Sequence, residues 1–233
     1  MIEFYYWPTP NGHKVAIMLE EIELAYTVHP VNISTGEQFA PEFLGISPNN
    51  KVPAIVDTEG PNGRPYSIFE SGSILMYLAE KTGKFWPADM EERYDVFQWL
   101  MFQMANVGPM FGQNGYFQGY ADEDVPHAKA RYLGETKRLY SVMDKRLANN
   151  DYLAGGSYSI ADIATYPWTI PAQNAFHRID IDDYPHVKRW VARISDRSAV
   201  QRGLALLRED QTIGHATDET REVFFGRRQK QQR

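Results

Sequence analysis

Three short stretches carry the residue types that can hold and activate a ligand. Thr9-Pro10-Asn11-Gly12-His13-Lys14 follows an apolar strand pattern. Thr9 stands where an N-cap belongs, with proline at the first helical position. A hydroxyl, the Asn11 amide and free backbone N–H groups at the positive end of a helix also stabilise an anion, a thiolate in particular. Both uses of Thr9 are compatible. The second stretch is Val52-Pro53, opening the apolar run Ala54-Ile55-Val56. A proline there has no N–H for a sheet ladder, so it marks an edge, a bulge or a cis turn. With a cis bond, the N–H and C=O of Val52 face outward and accept a short extended peptide as an added strand. In the third, Glu70-Ser71-Gly72 starts an apolar helix. Its carboxylate suits an amine and its free N–H groups suit a carboxylate, the two charged ends of an amino acid. Ser67-x-x-Glu70 also spells a capping box, so a structural reading of Glu70 stands beside the ligand one. Together the three stretches describe a socket for a small, acidic, extended peptide.

Composition narrows the chemistry further. The chain has no cysteine, which excludes disulfides, thiolate metal sites and any protein-borne sulfur nucleophile. Sulfur chemistry must therefore come from a ligand. Six histidines are scattered with no pair at helical ligand spacing, so no metal site is expected. No nucleophile-elbow sequence supports hydrolase chemistry. A net charge of −6 argues against nucleic acid as a partner. The basic stretch from Gly226 to Arg233 reads as a solvated tail. The chain opens directly on a strand, without a signal-peptide pattern or a membrane-length apolar run. A cytoplasmic protein with no membrane partner is expected.

The elements that must position these residues follow from periodicity. Strands are predicted over 2–6, 26–31, 52–57 and 66–69, with helices over 12–23, 41–44 and 71–81. That order implies a small mixed sheet with helices packed on it. After Thr82-Gly83-Lys84-Phe85-Trp86-Pro87-Ala88 the strand pattern vanishes, and helices are predicted over 91–107, 126–149, 159–176, 184–195 and 200–207. The division is thus residues 1–82, a linker over 83–90, a helical domain over 91–210 and a tail over 211–233. Ser159-Ile160-Ala161-Asp162 reads as a helix cap. Arg131, Lys137 and Arg138 read as a solvated helix face. Phe111, Tyr116, Phe117 and Tyr120, set among glycines, suit the lining of an apolar pocket, but the favoured reading is a loop packed on the core.

The proline after Val52, Glu70-Ser71 and Ser159-x-x-Asp162 resemble, in order and spacing, the cytosolic glutathione transferases. Pro8-Thr9-Pro10-Asn11-Gly12-His13-Lys14, Ile46-Ser47-Pro48-Asn49-Asn50-Lys51 and Gly108-Pro109-Met110-Phe111-Gly112-Gln113-Asn114 resemble more closely the bacterial Nu class. The resemblance spans residues 1 to 210. It implies a thioredoxin-like N-terminal domain followed by an all-helical C-terminal domain, a homodimer, and glutathione or oxidised glutathione as ligand. It implies that Val52 and Pro53 hold the cysteinyl backbone and that Glu70 and Ser71 take the γ-glutamyl end. Gln38 and Lys51 approach the glycyl carboxylate, Thr9 and Asn11 face the sulfur, and Arg131 reaches in from the helical domain. Tyr6 is a third catalytic candidate, because tyrosine-type transferases place a hydroxyl at the end of the first strand. Strand alternation would instead bury it. The implied activity is glutathione-dependent disulfide reduction, with peroxidase activity. Its rivals are conjugation of small electrophiles and a non-enzymatic carrier or adaptor role.

Overall fold

A computed structural model describes residues 1–210 and 217–225. The chain begins with strand β1 (Ile2–Tyr6), helix α1 (Pro10–Ile22) and strand β2 (Tyr26–Pro30). A single turn α2 (Pro41–Leu44), strands β3 (Ala54–Asp57) and β4 (Tyr66–Phe69), and helix α3 (Ser71–Thr82) follow. The sheet order is β2-β1-β3-β4, with β1 and β2 parallel and the other pairs antiparallel. Alternation along β1 buries Ile2, Phe4 and Tyr6 on one face beneath α1 and α3. The other face holds a small cluster of Val31, Phe43 and Ala54. This is the thioredoxin-like half.

The second half is helical. It runs through α4 (Met90–Phe102), α5 (Gly108–Gly115), α6 (Pro126–Leu147), α7 (Ile160–Thr165), α8 (Pro171–His177), α9 (Pro185–Ser195), α10 (Ser198–Ala205) and α11 (Asp218–Phe225). Two departures from the periodicity have clear causes. The stretch predicted as one helix over 159–176 is divided into α7, a 3-10 turn at Tyr166–Trp168, and α8. Pro167 and Pro171 each remove an N–H, and Ile170 before Pro171 is extended (φ −65°, ψ 156°). The glycine-rich stretch around Phe111 is helical rather than a loop, joined by π-turns at Gln103–Val107 and Tyr116–Tyr120. Its glycines serve a close approach: a Cβ on Gly115 or Gly119 would lie 2.6 or 2.5 Å from the Phe176 ring. Tertiary packing there overrides poor helix propensity.

Helix α1 is the seam between the halves. Gly203 on α10 sits so close that an added Cβ would fall 2.8 Å from the backbone of Ile17. Arg197 holds Glu21 in a two-pronged ion pair at 2.6 and 2.8 Å, and Arg202 holds Glu20 at 2.6 Å. One continuous hydrophobic core runs through both halves. The expected cap at Ser159 is a full capping box, with Asp162 also taking the Leu153 N–H and the Trp190 indole, both at 2.9 Å.

Candidate active site

Strand register gathers the chemistry at one end of the sheet. The C-terminal end of β1 leads into Thr9, and antiparallel pairing of Tyr5 with Ala54 brings Val52-Pro53 to the same end. Phe69 pairs with Ala54, so Glu70 and Ser71 follow there as well. Parallel pairing of Tyr6 with Pro30 sends the chain toward Gln38 on that side.

Thr9 is extended (φ −118°, ψ 161°) and caps α1, its Oγ1 accepting the Gly12 N–H at 3.0 Å. Asn11 uses its Oδ1 to accept the Trp168 indole N–H at 3.3 Å, a bond between the two halves. In both side chains the acceptor is engaged and the donor is not: the Thr9 hydroxyl proton and the Asn11 amide N–H have no acceptor among the described residues. Free donors at a helix N-terminus are what a thiolate requires. Beside Thr9 lies an apolar pocket of about 160 Å³ walled by Trp7, Trp168, Phe176, His177 and Phe224. Helix α11 covers one side of it, with Val223 buried and Phe225 packed 4.8 Å from the Tyr116 ring.

The Val52-Pro53 bond is cis, and no described residue pairs with the Val52 backbone N–H or C=O. Glu70 adopts φ 68°, ψ 113°, a left-handed backbone that non-glycine residues rarely hold. It occupies the N-cap position of α3 but makes no side-chain cap bond, while Ser67 lies within β4. The capping-box reading therefore fails. The Glu70 carboxylate is exposed and accepts the Asn49 amide at 3.3 Å. Ser71 is buried, at the first turn of α3. Gln38 is buried with Nε2 on the Ile33 carbonyl (3.3 Å) and Oε1 unpartnered, and Lys51 is exposed.

Two further sequence candidates, Tyr6 and Arg131, are engaged with other side chains. Tyr6 is fully buried, its hydroxyl bonded to His13 Nδ1 (3.0 Å) and the Leu206 carbonyl (3.2 Å). Burial, with Tyr26 nearby, makes its phenol a still weaker acid than usual. Arg131 lies on α6 with its side chain 62 % exposed, 3.5 Å from Glu135. Among the described residues no cluster of three or more His, Asp or Glu side chains is placed to hold a metal, and no helix is long and apolar enough to cross a membrane.

Sequence reasoning missed Lys14, Gln103, Trp168 and His177. Lys14 is 1 % exposed, and its Nζ donates to Gln103 Oε1 (2.6 Å) and Ser71 Oγ (3.3 Å). A signal existed: Lys14 precedes Ile17 and Met18 by three and four residues, on the apolar face of α1. For the others, contact arises only through the packing of distant helices.

A sheet half with a cis-proline clamp, joined to a helical half along α1, is the glutathione transferase architecture. The model of the glutathione S-transferase N-terminal domain matches residues 1–80, and that of the C-terminal domain matches residues 104–198. The chain belongs to the glutathione S-transferase family. It is 52 % identical over 211 residues to the disulfide-bond oxidoreductase YfcG of Escherichia coli K12, covering 89 % of this chain and 95 % of that one. It is 40 % identical to the disulfide-bond oxidoreductase YghU of the same strain (87 % and 73 % covered). Among solved structures, a glutathione transferase family member from Pseudomonas fluorescens with two glutathione bound superposes with a TM-score of 0.84 at 48 % identity (87 % and 92 % covered). A glutathione transferase from Pseudomonas putida with one glutathione disulfide bound per subunit gives 0.85 at 45 % identity (88 % and 91 % covered).

Proposed function

We propose that this protein is a glutathione-dependent disulfide-bond reductase whose nucleophile is the thiolate of bound glutathione. The observation that carries this reading is the pair of unspent donors, Thr9 Oγ1–H and Asn11 Nδ2–H, at the N-terminus of α1 in a chain without cysteine. Val52 pairs with the cysteinyl backbone, Glu70 takes the γ-glutamyl amine, and Ser71 with the α3 N-terminus takes its carboxylate. Gln38 and Lys51 serve the glycyl carboxylate. Arg131 joins them by leaving Glu135, and Tyr6 belongs to the core. The thiolate attacks one sulfur of a small disulfide, forming a mixed disulfide and expelling the other half as a thiolate. A second glutathione thiolate attacks the glutathione-derived sulfur, releasing glutathione disulfide and the remaining thiolate, which takes up a proton. The relatives' names, disulfide-bond oxidoreductases, and the solved relatives that hold two glutathione molecules or one glutathione disulfide support this course.

The apolar wall beside Thr9 supports a second reading, in which the same thiolate attacks a carbon electrophile. Rates with hydroxyethyl disulfide and chlorodinitrobenzene, measured side by side, separate the two. In either case Thr9→Ala and Asn11→Ala should lower turnover about 10- to 100-fold while changing the calorimetric affinity for glutathione little. Wild-type turnover in both variants would overturn the thiolate assignment, and the absence of any binding heat would leave a carrier role.

Exposed Met90 (66 %) and Tyr94 (59 %) on α4, lining one groove with Met76 and Phe97, support a homodimer. Sedimentation at micromolar concentration checks it. A cytoplasmic location suits an enzyme that draws on reduced glutathione, and cell fractionation would test it.

A further inference from the structure

Lys14 is a basic side chain only 1 % exposed, and among the described residues it forms no ion pair. Its side chain runs from α1 through the core to the start of α3, where Nζ meets Ser71 Oγ at 3.3 Å, Gln103 Oε1 at 2.6 Å and Met104 Sδ at 3.5 Å. No carboxylate lies within ion-pair distance of it among the described residues. Gln103 is fully buried and gives its oxygen to Lys14, although this leaves its own Nε2 without an acceptor. The N-terminus of α3 adds further positive potential at the same place. A buried cation beside a positive helix end is an unfavourable arrangement unless an anion arrives to balance it.

Ser71 connects Lys14 with that place. It accepts from Lys14, so its own hydroxyl proton is directed elsewhere, and the acceptor it meets is Met104 Sδ at 3.8 Å. A thioether is a weak acceptor that a carboxylate would displace. We propose that Lys14 is a positioning residue for the γ-glutamyl carboxylate, acting through Ser71, and that it takes up a proton when that carboxylate docks. The proposal rests on the glutathione reading of the site.

Burial pushes the Lys14 ammonium down to about 7, and the negative charge of Glu70 partly opposes this. Of the other elements packed around it, the turn at Gln103–Val107 offers only the neutral Gln103 and Met104 as polar contacts, and its neighbour on α1, His13, bonds to Tyr6 instead. With Lys14 mostly neutral before binding at pH 8 and charged afterwards, binding draws one proton from the buffer.

The test is calorimetry of the full chain with S-methylglutathione, whose blocked sulfur has no proton to lose. Titrations at pH 8 in phosphate and in Tris, buffers of different ionisation enthalpy, report the protons exchanged. The expected result is uptake of close to one proton per ligand at pH 8, falling toward zero at pH 5.5, where Lys14 is charged in both states. In Lys14→Met the buffer dependence should disappear, with affinity reduced about tenfold or more. Wild-type binding heat that is the same in both buffers at pH 8 would overturn the role of Lys14 and leave the glutathione site standing. Proton uptake that persists in Lys14→Met would do the same. An absence of binding heat in any buffer would overturn the site itself. If Lys14→Met fails to fold, the wild-type pH series decides alone.

Discussion

At the level of single residues, the site depends on side chains with two ends, one fixed and one free. Asn11 is the plainest case: the Trp168 indole holds its carbonyl at 3.3 Å, which turns the amide N–H₂ outward. Without that bond the amide can rotate and present its oxygen, which repels a thiolate. Trp168→Phe keeps an aromatic ring in the wall of the pocket and removes only the N–H. A neutral hydrogen bond contributes about 1 kcal/mol, so turnover with hydroxyethyl disulfide should fall roughly fivefold. The KM for glutathione should stay within about twofold of wild type, since the peptide clamp is untouched. A change confined to KM would mean that Trp168 shapes binding and does not orient Asn11. Glu70 shows how sequence alone leaves a residue ambiguous. Ser-x-x-Glu spells a cap, yet β4 continues through Ser67 and the carboxylate is turned outward on a left-handed backbone. Local pattern identifies the residue, while the end point of the neighbouring strand decides its use.

Elements carry these side chains into register, and α1 has the central part. It presents Thr9 and Asn11 at its start and Lys14 on its buried face, while α10 packs across its middle through Gly203. Gly203→Ala places a Cβ 2.8 Å from the Ile17 backbone, which cannot yield as a flexible side chain would. Overpacking of this kind costs about 1–3 kcal/mol, or a Tm lower by roughly 3–10 °C for a chain of this size. Because α10 then pushes on the helix that aligns the donors, disulfide reductase activity should fall at temperatures well below the new Tm. Thermal melts and rates of the same preparation check both parts; an unchanged Tm would show that the two helices can separate freely. The same principle explains the helical stretch around Phe111. Gly115 and Gly119 are poor helix formers taken singly, and contact with Phe176, some sixty residues further on in sequence, gives them a purpose.

Across the whole molecule, burial sets the response to pH. His13 and His177 are each 1 % exposed, and burial lowers both to about 4; a hydrogen bond to Gly203 partly offsets this for His13. The unfolded chain protonates its histidines near 6.5. Between pH 6.5 and 4 the unfolded state therefore binds more protons, and stability falls as pH is lowered through that window. Asp162 has the opposite sign: burial raises it to about 6 despite its hydrogen bonds, so acidification relieves a buried charge. Of these three groups the two histidines outweigh the aspartate, a net loss of roughly 3 kcal/mol from pH 7 to 4. Urea melts across that range check the sign, and His177→Phe should flatten the dependence; greater stability at pH 4.5 than at pH 7 would refute it. The assembly of the site follows the same division between local and distant causes. Helix starts, the proline at a strand's entrance, the Ser159–Asp162 cap and the lack of cysteine are written in neighbouring residues, because backbone sterics and capping act over three or four positions. They were enough to indicate an acidic peptide ligand and a borrowed sulfur. The use of Asn11 by Trp168 and the meeting of Lys14 with Ser71 and Gln103 depend on elements far apart in the chain. Packing is many-bodied, and no spacing rule in one strand or helix specifies which distant side chain will fill the space beside it.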